Sequence, residues 1–149
     1  MSQYPNNQYR SNQYAKPTNA IGTIVEELKK HQKPISECFT KKDLYLPEGK
    51  AHVIANNLRD MKVNQIRKIF DMISKADELA KSGKFEQASE ALFMVVPMVA
   101  YATGRELIRP TEFNDFIQTI ISDKRIKSAA DVSTLHLFMQ SILAYTKAK

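Results

Sequence analysis

Apolar residues recur at helical spacing along most of this chain, and almost nowhere do they alternate at the two-residue period of a strand. Between Val63 and Ser82, the residues Ile66, Ile69, Phe70, Ile73, Ala76 and Ala80 fall on one stripe. Arg67, Asp71, Ser74, Lys75 and Glu78 take the opposite arc, so the spacing predicts an amphipathic helix. Gly83 suits the left-handed position that closes such a helix. Over Phe85–Thr103 the segment Ala91–Ala102 is apolar on every face, which predicts a helix buried at the centre of the bundle and kinked by Pro97, where one backbone bond is lost. Pro110 suits a helix start, and Phe113, Phe116, Ile117, Ile120 and Ile121 give that helix a buried face running to about Lys124. A last helix, from Asp131 to Lys147, carries Val132, Leu135, Leu137, Phe138, Ile142 and Leu143, with Asp131 placed to cap it. Glu48–Leu58 forms a further helix burying Val53, Ile54 and Leu58. The expectation is an all-α, compact bundle of about five helices.

Three segments differ in character. Residues 1–20 have no acidic residue and repeat Gln-Tyr at Gln3-Tyr4, Gln8-Tyr9 and Gln13-Tyr14, a low-complexity pattern that predicts a flexible tail. Two readings of it stand open: a solvated arm, or one whose Tyr4, Tyr9 and Tyr14 stack on unpaired bases beside Arg10 and Lys16. Residues 21–47 hold an extra short helix, marked by Ile24, Val25 and Leu28 and ended by Pro34, and then a basic connector with Lys33, Lys41 and Lys42. Residues 48–149 hold the helical bundle domain.

Composition narrows the class. A chain of 149 residues has room for one ordinary domain, and 43% apolar with 26% charged residues is globular composition. The single cysteine, Cys38, cannot form an intramolecular bridge, and the N-terminus lacks the apolar core of a secretory signal. The longest apolar run falls well short of the ~20 residues that cross a bilayer. A cytoplasmic protein with no membrane partner is the expectation. The net charge of +6 makes phosphate-bearing partners plausible.

Catalytic and cofactor chemistry finds little support. His31, His52 and His136 are far apart and none has a neighbour at ligand spacing, so no metal site is expected. Gly22, Gly49, Gly83 and Gly104 never cluster into a loop that could wrap a nucleotide phosphate, so no cofactor is expected either. Cys38 lies in a Lys-rich stretch where a lowered pKa is conceivable, but it has no paired histidine, and an incidental thiol is the simpler reading. The acids Glu26-Glu27 and Asp77-Glu78 fall on faces where solvent is expected, and Arg67–Asp71, Asp71–Lys75 and Asp77–Lys81 are spaced for ion pairs along one helix.

The densest basic feature spans 58–68, where Arg59, Lys62, Arg67 and Lys68 meet one acid, Asp60. It straddles a helix start, whose outward amides and partial positive charge suit an anion such as a phosphodiester. Arg67 can grip two phosphate oxygens where Lys68 offers a point charge. The competing reading is that Asp60 or Asn64 caps the helix and the cations only solubilise it. Arg105 follows Gly104, where a cation also meets a negative helix end. Lys124, Arg125 and Lys127 form a third cluster beside Asp123.

Three stretches together, Asn64-Gln65-Ile66-Arg67-Lys68-Ile69-Phe70, Pro97-Met98-Val99-Ala100-Tyr101-Ala102-Thr103-Gly104-Arg105 and Ser141-Ile142-Leu143-Ala144-Tyr145-Thr146-Lys147, resemble in order and spacing the small subunit of the type III-A CRISPR effector, the Csm complex. The resemblance covers about residues 48–149. It implies an all-helical, non-catalytic subunit, present in several copies within a crRNA-guided antiviral assembly, with crRNA, target RNA, the backbone and large subunits and further copies of itself as partners. Its task would be to hold the backbone of the guide–target duplex without reading bases. Arg67, Lys68 and Arg105 lie inside the matching motifs and inherit that role most directly. Arg59 and Lys62 rest on their place beside the helix start, and Lys124, Arg125 and Lys127 on charge alone. The alternative is a helical protein–protein adaptor whose basic face meets an acidic protein, and a small enzyme would need convergent polar groups that the sequence does not display.

Overall fold

A computed structural model of the chain describes residues 20–58 and 61–147. The expected tail, residues 1–20, falls outside the described residues except for Ala20, which opens the first helix, and the choice of Arg59 as an RNA contact falls outside them too. The described residues form α1 (Ala20–Lys29), a 3-10 turn (Ile35–Glu37), α2 (Lys41–Tyr45), α3 (Lys50–Asn56), α4 (Val63–Lys81), α5 (Phe85–Phe93), α6 (Val95–Gly104), α7 (Thr111–Ile120) and α8 (Ala129–Lys147). No strand occurs among them, and the fold is an all-α bundle.

The strongest sequence period gave the most accurate element. On α4 the buried stripe is Ile66, Ile69, Ile73, Ala76 and Ala80, and Gly83 takes φ 81°. Lys84 N–H donates to Leu79 O and Gly83 N–H to Ala80 O, the paired bonds that close a helix on a left-handed residue. The chain then reverses, and α5 packs back along α4.

The expected central helix is two helices. The chain breaks at Met94, between Phe93 and Val95, because Pro97 offers no N–H to the Phe93 carbonyl one turn earlier. The pair is also not the buried centre: Phe93 is 39% exposed, Met94 65% and Tyr101 64%. That place belongs to α8, which packs against α2, α3, α4, α5 and the 3-10 turn. Its Phe138 stacks on Phe39, with centroids 4.3 Å apart, and on Phe116 at 5.6 Å.

The basic connector is not a loose surface strap. Ile35, Phe39 and Leu44 from it, and Ile21, Ile24, Val25 and Leu28 from α1, are buried in the same core as α7 and α8. Burial at roughly 1.5–3 kcal/mol per large apolar side chain makes this segment part of what holds the bundle together. Thr40 caps α2 reciprocally with Asp43, each backbone N–H donating to the other's side chain.

Candidate nucleic-acid interface

The α4 N-terminus keeps most of the features that suit an anion. Lys62 stands at the N-cap with extended backbone and no side-chain cap bond, and the first turn contains no acid. Asn64 lies inside the helix and not at its cap, and Asp60, the other capping candidate, falls outside the described residues. Lys62, Arg67 and Lys68 are exposed. Among the described residues the ion pairs are Lys29–Glu26, Lys50–Glu27, Lys50–Asp43 and Lys81–Asp77, with His136 also beside Asp77, so none of these three cations has a described carboxylate within pairing distance. Of the three pairs expected along α4, only Asp77–Lys81 forms, at 3.0 Å.

Arg105 lies just beyond α6, also with no carboxylate partner among the described residues. Its Nη1 donates to the Tyr101 hydroxyl at 2.8 Å, and its guanidinium lies 5.7 Å from the centre of that ring. The left-handed residue closing α6 is Glu106, φ 62°, and not Gly104, which is still helical. Leu107 N–H donates to Ala102 O and Glu106 N–H to Thr103 O, the same closure that Gly83 makes after α4.

The third cluster is split by burial, and Arg125 is a structural residue and not the exposed cation its charge suggested. Its residue is 2% exposed. Nε donates to Thr119 O at 2.8 Å, Nη1 to Lys33 O at 3.0 Å and to Cys38 Sγ at 3.5 Å, and Nη2 to Leu28 O at 2.7 Å and His31 O at 2.9 Å. The guanidinium thus sits on the carbonyl ends of α1 and α7, where the partial negative charge of two helices converges. No donor is left for a phosphate, so Arg125 holds α1 and the connector to the bundle. Lys124 and Lys127 stay exposed on either side of it.

The two remaining basic patches lie toward opposite ends of α4. Asp77 meets Ser133 and Phe70 meets His136, so α4 and α8 run antiparallel. The start of α4 lies toward the C-terminal half of α8, whereas Lys124 and Lys127 precede its N-terminus. The rise from Arg67 to Asp77 is about 15 Å.

Asp77 is likewise buried, against the solvent-facing expectation. The face assigned to solvent is covered by α8, leaving Asp77 2% exposed. Ser133 donates to Oδ1 at 2.6 Å, and Lys81 Nζ and His136 Nδ1 lie 3.0 and 3.1 Å from Oδ2. Burial alone would push this carboxyl up; the Ser133 and Lys81 hydrogen bonds, with the charges of His136 and Lys81, outweigh it and hold it below the usual carboxylate range. Burial also pushes the Cys38 thiol up, and nearby Arg125 only partly offsets this, so Cys38 is not an activated nucleophile. Sequence spacing carries no signal for either effect, since both depend on which helix packs opposite.

A family model described as Csm2 Type III-A matches residues 41–149. The chain belongs to that family. Comparison with curated proteins and with solved structures gave no match. Membership makes this chain a small subunit of the type III-A Csm complex, as the motif resemblance implied. The match begins at the first residue of α2, so the Csm2 Type III-A region holds α2–α8. Within it, the three motif stretches fall on the first turns of α4, on α6 and Arg105, and on the last turns of α8. At the end of α8, Tyr145 stacks on His52 and donates to Tyr45 O at 2.6 Å, which ties that stretch to α2 and α3. Among the described residues no helix is long and apolar enough to cross a membrane, and no cluster of His, Cys, Asp or Glu could hold a metal.

Proposed function

We propose that this chain is a non-catalytic, cytoplasmic subunit that grips the sugar-phosphate backbone of the guide–target RNA duplex in a crRNA-guided assembly, without reading sequence. What supports the reading is the coincidence, in a Csm2 Type III-A chain, of an α4 whose first turn contains no acid with three exposed cations that have no carboxylate partner among the described residues. Lys62, Arg67 and Lys68 form the principal contact, Arg105 a second, and Lys124 and Lys127 an outlying patch. Helix-end amides and cations bind phosphate oxygens of any sequence, leaving recognition to base pairing between the two RNA strands. Cleavage and signalling chemistry then fall to other subunits.

The test is RNA binding by the isolated protein across a salt series. Affinity is expected to be indifferent to sequence, with log K falling against log salt by ~0.7–0.9 per phosphate neutralised. Simultaneous Arg67→Ala, Lys68→Ala and Arg105→Ala substitution should flatten that line; an unchanged line would show that the contact lies elsewhere. Co-purification after nuclease treatment separates the adaptor reading, since an RNA-mediated association is lost and an acidic protein partner is retained.

A further inference from the structure

Tyr101 and Arg105 form a unit that backbone holding alone does not require. The Tyr101 ring is 64% exposed, although a tyrosine next to a core as apolar as this one could have been covered. Its hydroxyl, the group that would otherwise seek a polar partner, already accepts from Arg105 Nη1, so what the side chain offers outward is its ring. Arg105 N–H donates to Tyr101 O at 3.0 Å, which fixes the two residues one helical turn apart. Exposed Pro97 in α6, and exposed Met94 at its N-cap, continue the same row at four- and three-residue spacing. The guanidinium beside the ring pairs with no carboxylate among the described residues and keeps further N–H donors.

We propose that Tyr101 and Arg105 form a stacking platform that seats an unpaired RNA base on the tyrosine ring, with the guanidinium contacting the adjoining phosphate. This rests on the RNA-holding reading above and adds to it a contact with single-stranded rather than paired nucleotides. Aromatic rings stack on any base, and a neighbouring cation supplies the phosphate contact, so the platform is tolerant of sequence. A protein partner is the less suited occupant. A stable protein interface covers about 800 Å² on each side and is poor in charge at its centre, whereas this feature is one helix row ending in a cation.

The experiment titrates the full chain with a short single-stranded oligoadenylate and with a short RNA duplex. Tyr101→Ala should weaken oligoadenylate binding roughly tenfold, a typical loss for one stacked base, and leave duplex binding and the salt slope unchanged. Tyr101→Phe keeps the ring and should stay within about twofold of wild type. Oligoadenylate affinity unchanged in Tyr101→Ala overturns the platform, and so does loss of self-association or of subunit assembly in its place. Binding by the wild type that falls with Lys62→Ala, Arg67→Ala and Lys68→Ala but not with Tyr101→Ala rejects the platform alone. No RNA binding by the wild type rejects the underlying reading and the platform with it. Thermal melting of Tyr101→Ala guards against a folding artefact.

Discussion

Two stretches of this chain look alike in charge and meet opposite fates. One carries Lys62, Arg67 and Lys68, and the other Lys124, Arg125 and Lys127. In the first, the cations surround a helix N-terminus, whose own partial charge is positive, and stay in water. In the second, the middle cation lies where two helix C-termini converge and turns inward to bind their carbonyls. The local helix ends, and not the density of basic residues, decide whether an arginine serves a partner or the fold.

The largest expected effect tests the buried arginine. Arg125→Ala strips donors from the carbonyls of Leu28, His31, Lys33 and Thr119 at a position that is 2% exposed. Removing several buried bonds at once should cost about 3 kcal/mol or more, read as a drop in denaturant midpoint. Arg125→Lys should recover little, because a point charge cannot span carbonyls on separate segments. If Arg125→Ala melts like wild type, the contrast between the two basic stretches collapses.

Next in size is Asp77, the buried acid that α8 covers. Asp77→Asn replaces an acceptor of Ser133, Lys81 and His136 contacts and should destabilise the chain by about 1–3 kcal/mol at neutral pH. The folded-state carboxyl is depressed, so its contribution is whole above the ordinary value near ~4 and is lost as pH falls through the lowered one. The gap in stability between wild type and Asp77→Asn should therefore narrow on acidification below pH ~4. A gap that stays constant to low pH would mean that the carboxylate's charge is not what stabilises the α4–α8 contact.

Arg125 and Asp77 also mark how far the sequence could be followed. The buried stripe of α4, its closure on Gly83 and the all-α class were legible, because each depends on spacing within one segment. Asp131 was legible in part. It sits inside α8, and its carboxylate accepts from Lys127 N–H and Ser128 N–H while also reaching Ser36 N–H in the connector, a partner 95 residues away. The inward turn of Arg125 depends on α1 and α7 ending at the same place, which no local pattern encodes. Asp77 has the i,i+4 lysine of a solvated pair and is buried only because α8 crosses it. Tyr101 lies within the second motif stretch, but its exposure depends on α8, and not α6, filling the centre.

The exposed trio on α4 should behave in the reverse way to Arg125. Lys62→Ala, Arg67→Ala and Lys68→Ala together should leave stability within about 0.5 kcal/mol, since these side chains make no buried contact. The same variant should reduce the RNA salt slope by roughly 2 units. Loss of stability would show that the start of α4 serves the fold, as the Arg125 corner does.

The smallest effect belongs to Lys124 and Lys127, and it separates charge from its setting. Both are exposed, so the double alanine variant should also stay within about 0.5 kcal/mol of wild type. Counting charges alone, it would remove nearly as much RNA affinity as two of the α4 cations. The helix ends differ, however. Asp131 already supplies a carboxylate to the amides before α8, so the corner faces a neutralised helix start, whereas the first turn of α4 contains no acid. The change in salt slope should therefore fall well under the ~0.7 per residue of a full phosphate contact. A change as large as that from the α4 trio would mean that net charge, and not the vacant helix end beneath it, selects where RNA lies.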